Sequence, residues 1–273
     1  MSKSNLRFEL KYLAPVNSEQ YTQQLVELHP AGFEQHYHKI VVNNIYFDDR
    51  RLSFYFANLQ GLAQRVKVRA RFYSVSSLTA ASDGGITALG ATQPHLEIKK
   101  KQGELISKDL YSWEQAGQFG SLNVPAALTA FFQQQLLPSP SIVVDEVGKQ
   151  PPAAVDSNIV KVGLIRPTLI NSYRRSYFLS LDRKVRITVD TDVRFYPVNN
   201  SRINWNRYYQ LPAVIMEIKA NQKHADLLPG IAKYFPFKLT RCSKYVLGLS
   251  SCVPDLEEPL YRQSVQPKFT YVD

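Results

Sequence analysis

Cysteine is scarce: the 273 residues contain two, Cys242 and Cys252, set ten positions apart. That is too few for a disulfide framework and the wrong spacing for a thiolate metal site, so two small buried side chains in a reducing compartment are expected. No stretch is long and apolar enough to span a membrane, and Met1-Ser-Lys-Ser-Asn-Leu-Arg-Phe-Glu9 holds no apolar run of the signal-peptide kind. The expectation is a soluble cytoplasmic protein that associates with a membrane only through a partner. Acidic residues are the minority charge, 23 Asp and Glu against 33 Lys and Arg, giving a net charge of +10. Such a balance calls for an acidic partner, whether nucleic acid, an anionic membrane surface or a phosphorylated small molecule. Disorder is not the default, because 44% hydrophobic and 12% aromatic residues suffice for a packed core.

Alternating apolar and polar residues recur over Leu6 to Leu13, Val41 to Phe47, Val66 to Tyr73, His95 to Lys101, Leu169 to Leu179, Val185 to Phe195 and Val214 to Ala220, which predicts a mainly antiparallel β protein. Helical periodicity is confined to Ser18 to Leu28, with Ser18 as N-cap, and to Pro125 to Leu136, Lys223 to Tyr234 and Leu239 to Leu249. These helices are expected to be peripheral or to plug the sheet. The Ser, Ala, Gly and Thr-rich stretch 74–94 and the Pro-containing stretch 137–158 are expected as loops. No internal repeat is apparent. The chain therefore divides into one domain over 1–253, carrying a hairpin insertion near residue 84, and a C-terminal tail over 254–273.

Charge is concentrated on single faces of the predicted strands. Arg65, Lys67, Arg69 and Arg71 share one face of Arg65-Val-Lys-Val-Arg-Ala-Arg71, with Arg65 nearer the rim. Same-face neighbours about 6.8 Å apart repel by roughly 2 kcal/mol at an effective dielectric of about 20, so an anionic counterpart is expected. The pattern recurs as Arg7, Glu9 and Lys11; as Glu97, Lys99 and Lys101; as Tyr173, Arg175 and Tyr177; as Arg186, Thr188, Asp190 and Asp192; and as Glu217 with Lys219. Ordinary sheet surfaces mix Ser, Thr, Asn and isolated charges. A closed barrel with a basic lumen, its outer apolar faces covered by helices, accounts for the recurrence. Arg suits bidentate phosphate clamping and Lys a point contact. Among so many cations, Glu217 and Glu9 are the candidate ligands for Mn²⁺ or Mg²⁺, which bridge phosphates to one or two acids. Glu97 and Asp190 are expected to pair with neighbouring Arg or Lys. The five histidines fall outside the stripes, so surface or structural roles are expected of them.

In this order the segments Arg7-Phe-Glu-Leu-Lys-Tyr12, Asn44-Ile-Tyr-Phe-Asp-Asp49, Lys67-Val-Arg-Ala-Arg-Phe-Tyr73, Glu97-Ile-Lys99, Tyr173-Arg-Arg-Ser-Tyr-Phe178, Val185-Arg-Ile-Thr-Val-Asp-Thr191, Met216-Glu-Ile-Lys219 and Ser243-Lys-Tyr245 resemble the triphosphate tunnel metalloenzymes. Within that superfamily, also called CYTH-like, they resemble the VTC (vacuolar transporter chaperone) polyphosphate-polymerase domains. The resemblance implies an α+β, mainly β fold built on an eight-stranded antiparallel barrel, the triphosphate tunnel. It implies that Lys11, Arg69, Arg71, Lys99, Arg175 and Arg186 hold phosphates, that Tyr173 hydrogen-bonds one, and that Ser243 and Lys244 reach in from the C-terminal helix. Lys108 matches a further basic contact and Glu217 the metal-binding glutamate. Hydrolytic and cyclase branches usually begin with Glu-x-Glu-x-Lys, whereas Arg7 stands here at the first Glu, which shifts the expectation toward polymer synthesis.

The implied reaction is a transferase step, moving the terminal phosphate of ATP to a growing inorganic polyphosphate chain, with ADP released and the product threading through a tunnel open at both ends. Arg69, Arg71, Arg175, Arg186 and Lys244 would carry the charge of the transferring group, Lys11, Lys67, Lys99, Lys108, Lys219, Tyr173 and Ser243 would bind substrate, and manganese or magnesium would be the cofactor. ATP and polyphosphate are the expected partners, and nucleic acid is not, because the cations lie within strands beside carboxylates and no stacking platform is apparent. The rival readings are a hydrolase of tripolyphosphate or nucleoside triphosphate and a non-catalytic module that binds polyphosphate or inositol phosphate without turnover.

Overall fold

The structure, a computed structural model, describes residues 7–76, 79–80, 86–87, 90–92, 94–102, 105–112, 165–199, 202–203, 208–253, 256 and 270–272. The strands in chain order are β1 (Arg7–Pro15), β2 (Phe33–Asp48), β3 (Gln64–Ser74), β4 (Thr79–Ala80), β5 (Ile86–Thr87), β6 (His95–Gln102), β7 (Leu105–Ser112), β8 (Arg166–Ser180), β9 (Val185–Asn199), β10 (Arg202–Ile203), β11 (Tyr208–Gln210), β12 (Ala213–Asn221), β13 (Lys238–Leu239) and β14 (Thr270–Val272). Four helices accompany them among the described residues: α1 (Glu19–Glu27), α2 (Ser53–Leu59), α3 (Leu227–Ala232) and α4 (Lys244–Cys252).

Twelve strands form one antiparallel sheet in the order β13-β1-β12-β9-β8-β2-β3-β6-β7, with β10, β11 and β14 added beside β9, and β4 pairs with β5 apart from it. The eight-stranded closed barrel expected from the sequence is corrected on both counts. Short strands extend the count, and the hydrogen-bonded ladder does not close among the described residues. The free edge of β1 is taken at Tyr12 and Leu13 by β13, the segment leading into α4, rather than by β7. Side chains bridge the remaining gap: Lys99 Nζ on β6 reaches Glu9 on β1 at 3.4 Å. The sheet is thus curled, with a concave charged face and a convex apolar one.

Period-two alternation sorts these faces. Tyr12, Phe178, Val185, Ile187, Val189, Val214, Met216 and Ile218 form the convex core with Val26 of α1 and Leu228 and Ile231 of α3, so helices cover the apolar face as the patterning requires. The concave face changes character along its length. Beyond Lys11 and Glu217 it continues as Leu13 and Ile215, which join Leu169, Phe195, Tyr46 and the helix residues Tyr55, Tyr245 and Leu249 in a second core. Helix α4 lies in this apolar end, buried throughout Lys244–Ser250 as a helix without a solvent face must be. The open-ended tunnel expected from the sequence is therefore filled at one end.

Local chemistry explains where the helix boundaries depart from the sequence expectation. Ser18 does precede α1, but its hydroxyl donates to the Pro15 carbonyl at 2.5 Å instead of capping the helix, because Val16–Ser18 already forms a 3₁₀ turn. The helix expected from Leu239 starts at Lys244, since Lys238 and Leu239 pair with β1 and Ser243 is the N-cap, accepting from the Val246 amide. The helix expected over Lys223 to Tyr234 is a 3₁₀ turn, Gln222–His224, followed by α3. Helix α2 and strand β7 were not foreseen. The expected helix Pro125 to Leu136, the loop 137–158 and most of the tail 254–273 lie outside the described residues.

Helix α2 depends on Asp48. Its carboxylate accepts from the amides of Asp49, Phe54 and Tyr55 at 2.8, 3.0 and 2.8 Å and from the Tyr245 hydroxyl at 2.6 Å, tying the N-terminus of α2 to α4. Burial pushes the Asp48 carboxyl up to about 6, with these donors only partly offsetting it. A folded-state value above the ordinary 3.8 favours the protonated form, so this contribution to stability is complete below about pH 4 and is lost as pH rises through about 6. Relative to Asp48→Asn, the wild-type protein should lose about 3 kcal/mol of stability between pH 4 and 7, read from urea midpoints. A Cβ at Gly248 would lie 2.3 Å from Phe195 Cδ1 and 2.7 Å from Leu169 Cδ2. Gly248→Ala should therefore destabilise by about 1–3 kcal/mol despite its better helix propensity, lowering the urea midpoint without changing its slope.

Candidate functional site

Ten cations line the concave face: Lys11 on β1, Lys67, Arg69 and Arg71 on β3, Lys99 on β6, Lys108 on β7, Arg175 on β8, Arg186 on β9, Lys219 on β12 and Lys244 at the start of α4. Four carboxylates stand among them, Glu9, Glu97, Asp190 and Glu217. Ladder register brings them into line. Glu9 is opposite Lys219 and Lys11 opposite Glu217 across β1 and β12, Lys219 is opposite Arg186 across β12 and β9, and Arg175 is opposite Asp190 across β8 and β9. The candidate residues from seven strands and one helix are thus on one continuous wall.

Glu217, 5% exposed, is held by four cations. Lys219 donates to it, and Lys11, Lys244 and Arg175 stand at 3.4, 3.7 and 3.7 Å. Burial alone would raise this carboxyl, but Lys219, Lys11, Lys244 and Arg175 outweigh it and keep the group well below the usual carboxylate range. Glu9 shares two of these partners, Lys11 at 3.7 Å and Lys219 at 3.2 Å, and adds Lys99 at 3.4 Å. It too stays ionised, the three lysines overcoming burial. Asp190, fully buried, meets Arg175 in a two-point fork at 2.5 and 2.7 Å and Lys244 at 2.5 Å. Glu97 accepts from Arg69 at 2.5 and 2.7 Å and from Lys108 at 2.6 Å, with Arg71 at 3.6 Å. Glu97 and Asp190 are therefore paired, as their sequence neighbourhood suggested.

Tyr173 sits at the centre of the cationic set. The Arg175 guanidinium lies 5.1 Å and the Lys244 ammonium 4.7 Å from its ring centroid, and Arg71 approaches its hydroxyl at 3.4 Å. Burial opposes ionisation of the phenol, yet Arg175, Arg71 and Lys244 pull it below its ordinary value, which makes the hydroxyl a stronger donor. Ser243 accepts from Lys67 at 2.9 Å. Burial, together with Lys11, Lys219 and Arg69 and against the attraction of Glu9, lowers Lys99 to about 8. Burial, with Lys11 and Lys99 beside it, takes Lys67 well below the lysine range.

Several participants were missed. Asn44 accepts from Arg71 Nε at 2.8 Å and donates to Asn171 at 2.7 Å, forming a buried polar strut that orients the guanidinium. The signal was available, since Asn43 and Asn44 interrupt the apolar run Val41 to Phe47 where strand propensity disfavours asparagine. Tyr46 stands 3.4 Å from Arg69. The placing of all five histidines outside the stripes is corrected for His95, whose Nε2 lies 3.1 Å from Glu97 because 95 and 97 share a strand face. Arg65 turns to the Gly61 and Leu62 carbonyls at 3.2 and 2.6 Å, away from the wall.

No group of three or more His, Cys, Asp or Glu able to hold a metal occurs among the described residues. Two carboxylates sharing the same lysines do not make a cage for a cation on their own. They suit a hard divalent ion that takes its remaining ligands from phosphate oxygens.

The VTC domain profile matches residues 6–253. The chain belongs to the VTC domain family. The ordered motifs of the sequence pointed to the same family, and the matched span includes every wall residue described above. No curated protein matches the sequence. Solved structures similar in fold include a protein from Pyrococcus horikoshii (13% identity, TM-score 0.43, 90% of this chain and 99% of that one). A putative adenylate cyclase from Vibrio parahaemolyticus is similar at 9% identity, with a TM-score of 0.46 and coverage of 90% and 99%. A Hippeastrum putative adenylyl cyclase, described as having a dominant triphosphatase activity, is similar at 16% identity, with a TM-score of 0.43 and coverage of 93% and 99%. Among the described residues no helix is long and apolar enough to cross a membrane.

In this VTC domain the pairing itself makes a test of the geometry. Asp190→Ala leaves Arg175 and Lys244 buried against one another without their carboxylate, and should cost about 3–5 kcal/mol of stability, seen as a lower chemical-denaturation midpoint.

Proposed function

We propose that this VTC domain is a polyphosphate polymerase that transfers the terminal phosphate of ATP to a growing inorganic polyphosphate chain on the concave wall. The observation that supports this most directly is the gathering of ten cations and only four carboxylates on one concave face, a surplus of positive charge held in fixed positions. Phosphoryl transfer asks a protein for positioning and charge neutralisation more than for a nucleophile. Arg71, braced by Asn44 and near the Tyr173 hydroxyl, and Arg69, braced by Glu97, supply donors in fixed orientation for the equatorial oxygens of the transferring group. Arg175, Arg186 and Lys244 stabilise the charge that develops beside it. Lys11, Lys99, Lys108 and Lys219 hold the remaining phosphates, exchanging carboxylate partners for phosphate oxygens.

Mn²⁺ or Mg²⁺, held by Glu217 and Glu9 together with phosphate oxygens, would add charge neutralisation at the triphosphate. Arg7 supports this economy of acids. It occupies the start of β1, and its charge, after burial, helps lower Arg186. A second carboxylate there would have offered another metal ligand.

The reading is tested by incubating the protein with ATP and Mn²⁺ and measuring ADP, orthophosphate and long-chain polyphosphate together. Polymer with stoichiometric ADP is the expected result, and orthophosphate as the main product would make the protein a hydrolase. Arg71→Ala and Glu217→Ala should each lower polymer formation by at least about 100-fold, the scale of losing one fixed transition-state contact. Chelation of divalent ions should abolish it, with activity restored by adding them back.

A further inference from the structure

Arg69 and Arg71 share Glu97, whereas Lys67, on the same face of β3, has no carboxylate within salt-bridge distance among the described residues. It lies directly opposite Lys99 across the β3–β6 ladder, where like charges oppose one another. Its Nζ donates to the Ser243 hydroxyl at 2.9 Å, and Ser243 is the N-cap of the nine-residue helix α4, the positive pole of that helix. Burial, with Lys11 and Lys99 and against the lesser pull of Glu9, holds the amine well below the lysine range. These surroundings disfavour an ammonium and leave Lys67 as a neutral amine with its lone pair. A desolvated lysine beside other cations is an activated nucleophile. The side chain is only half-buried, so a small solute reaches it.

The same surroundings select the electrophile. A carbonyl compound condensing with Nζ would give an iminium, returning the positive charge that Lys99 and the helix pole oppose. Carbon dioxide does the reverse. The Nζ lone pair attacks its carbon, an N–C bond forms as one C–O π bond breaks onto oxygen, and one proton leaves Nζ for solvent. The product is a carbamate with one negative charge, and the N–H that remains on Nζ keeps the bond to Ser243. Nothing is oxidised or reduced. An anion at this place has Lys99 across the ladder, Lys11 nearby and the N-terminus of α4 in front. Every other wall lysine has a carboxylate against it, which would repel a second anion. Lys99, which burial lowers to about 8, has Glu9 at 3.4 Å, and Lys108 has Glu97 at 2.6 Å. Burial would lower Lys11 and Lys244 too, but their carboxylate neighbours overcome it and hold both as ammonium groups.

We propose that Lys67 is a reversible carbamylation site, at which dissolved carbon dioxide supplies a negative group between Lys99 and the N-terminus of α4. This chemistry is independent of which phosphate reaction the wall performs, because it needs neither nucleotide nor metal.

Full-length protein without divalent metal is equilibrated with isotopically labelled bicarbonate at neutral pH, trapped with a trialkyloxonium salt that esterifies carbamates, and digested for mass spectrometry. One labelled carboxylate is expected on the peptide carrying Lys67, at least about tenfold above the exposed Lys223 and Lys233, and lost when bicarbonate is removed before trapping. Bicarbonate should also raise the thermal midpoint of the wild-type protein by about 2–4 °C over an equal concentration of chloride, and leave Lys67→Met unchanged. Lys67→Gln should match Lys67→Met, which separates loss of the amine from a packing fault in either variant. If Lys67 carries no more label than Lys223, or if Lys99 carries more than Lys67, the site is wrong. An equal rise in the midpoint of the wild type and both variants, with no label, would mark bicarbonate as an ion bound to the wall and overturn the carbamate.

Discussion

Charge compensation on a curved wall is the constraint on which the rest of this structure depends. Ten cations cannot share one concave surface without carboxylates, because partial burial weakens the screening that makes surface repulsion cheap. Glu217 and Glu9 pull β1, β12 and β6 together through shared lysines, and the 3.4 Å contact between Lys99 and Glu9 crosses the gap that the backbone ladder leaves open. Asp190 does the same for β8, β9 and α4 through Arg175 and Lys244. The curl of the sheet and the convergence of the site are one fact seen from two sides. Without the curl these charges would be solvated stripes, and without the pairs the curl would be opposed by its own lining.

Helix α4 joins this electrostatic system to the hydrophobic core. Its first residues, Ser243 and Lys244, meet the charged wall, while Tyr245 stacks on Tyr46 with ring centroids 4.9 Å apart and donates to Asp48, and Gly248 lets the helix approach Phe195 and Leu169. A shift of this helix would therefore move Lys244 relative to Asp190 and Glu217. Packing at the apolar end holds the geometry at the polar end. This is how a site built from eight elements keeps its parts in register.

The same wall sets stability against function. Eight of the wall cations are held by carboxylates, whereas Lys67 and Arg186 have none within salt-bridge distance among the described residues. Cations outnumber acids on the wall, and a further Arg, Arg7, stands at the start of β1.

Period-two alternation determined most of the strands and which side chains share a face, because neighbouring Cβ atoms must point to opposite sides of a strand. It therefore placed Lys11, Arg69, Arg71, Lys99, Arg175, Arg186, Glu217 and Lys219 on polar faces before any tertiary contact was known. Pairing within a stripe, as for Arg175 with Asp190, could be expected from composition alone. Helix α2 was missed because its start depends on Asp48 and Tyr245, separated by 197 positions, and strand β7 because Lys108 and Asp109 leave its alternation weak. What tertiary structure alone decided is the closure of the wall. Whether the gap beside β1 is crossed by backbone or by side chains such as Lys99 and Glu9 depends on β13 taking part of the β1 edge, and whether the concave face is open or plugged depends on where α4 lies. Strand alternation is a local property written in adjacent residues. Edge pairing and charge balance are sums over distant ones, and for that reason the two basic side chains left without a carboxylate became visible only in three dimensions.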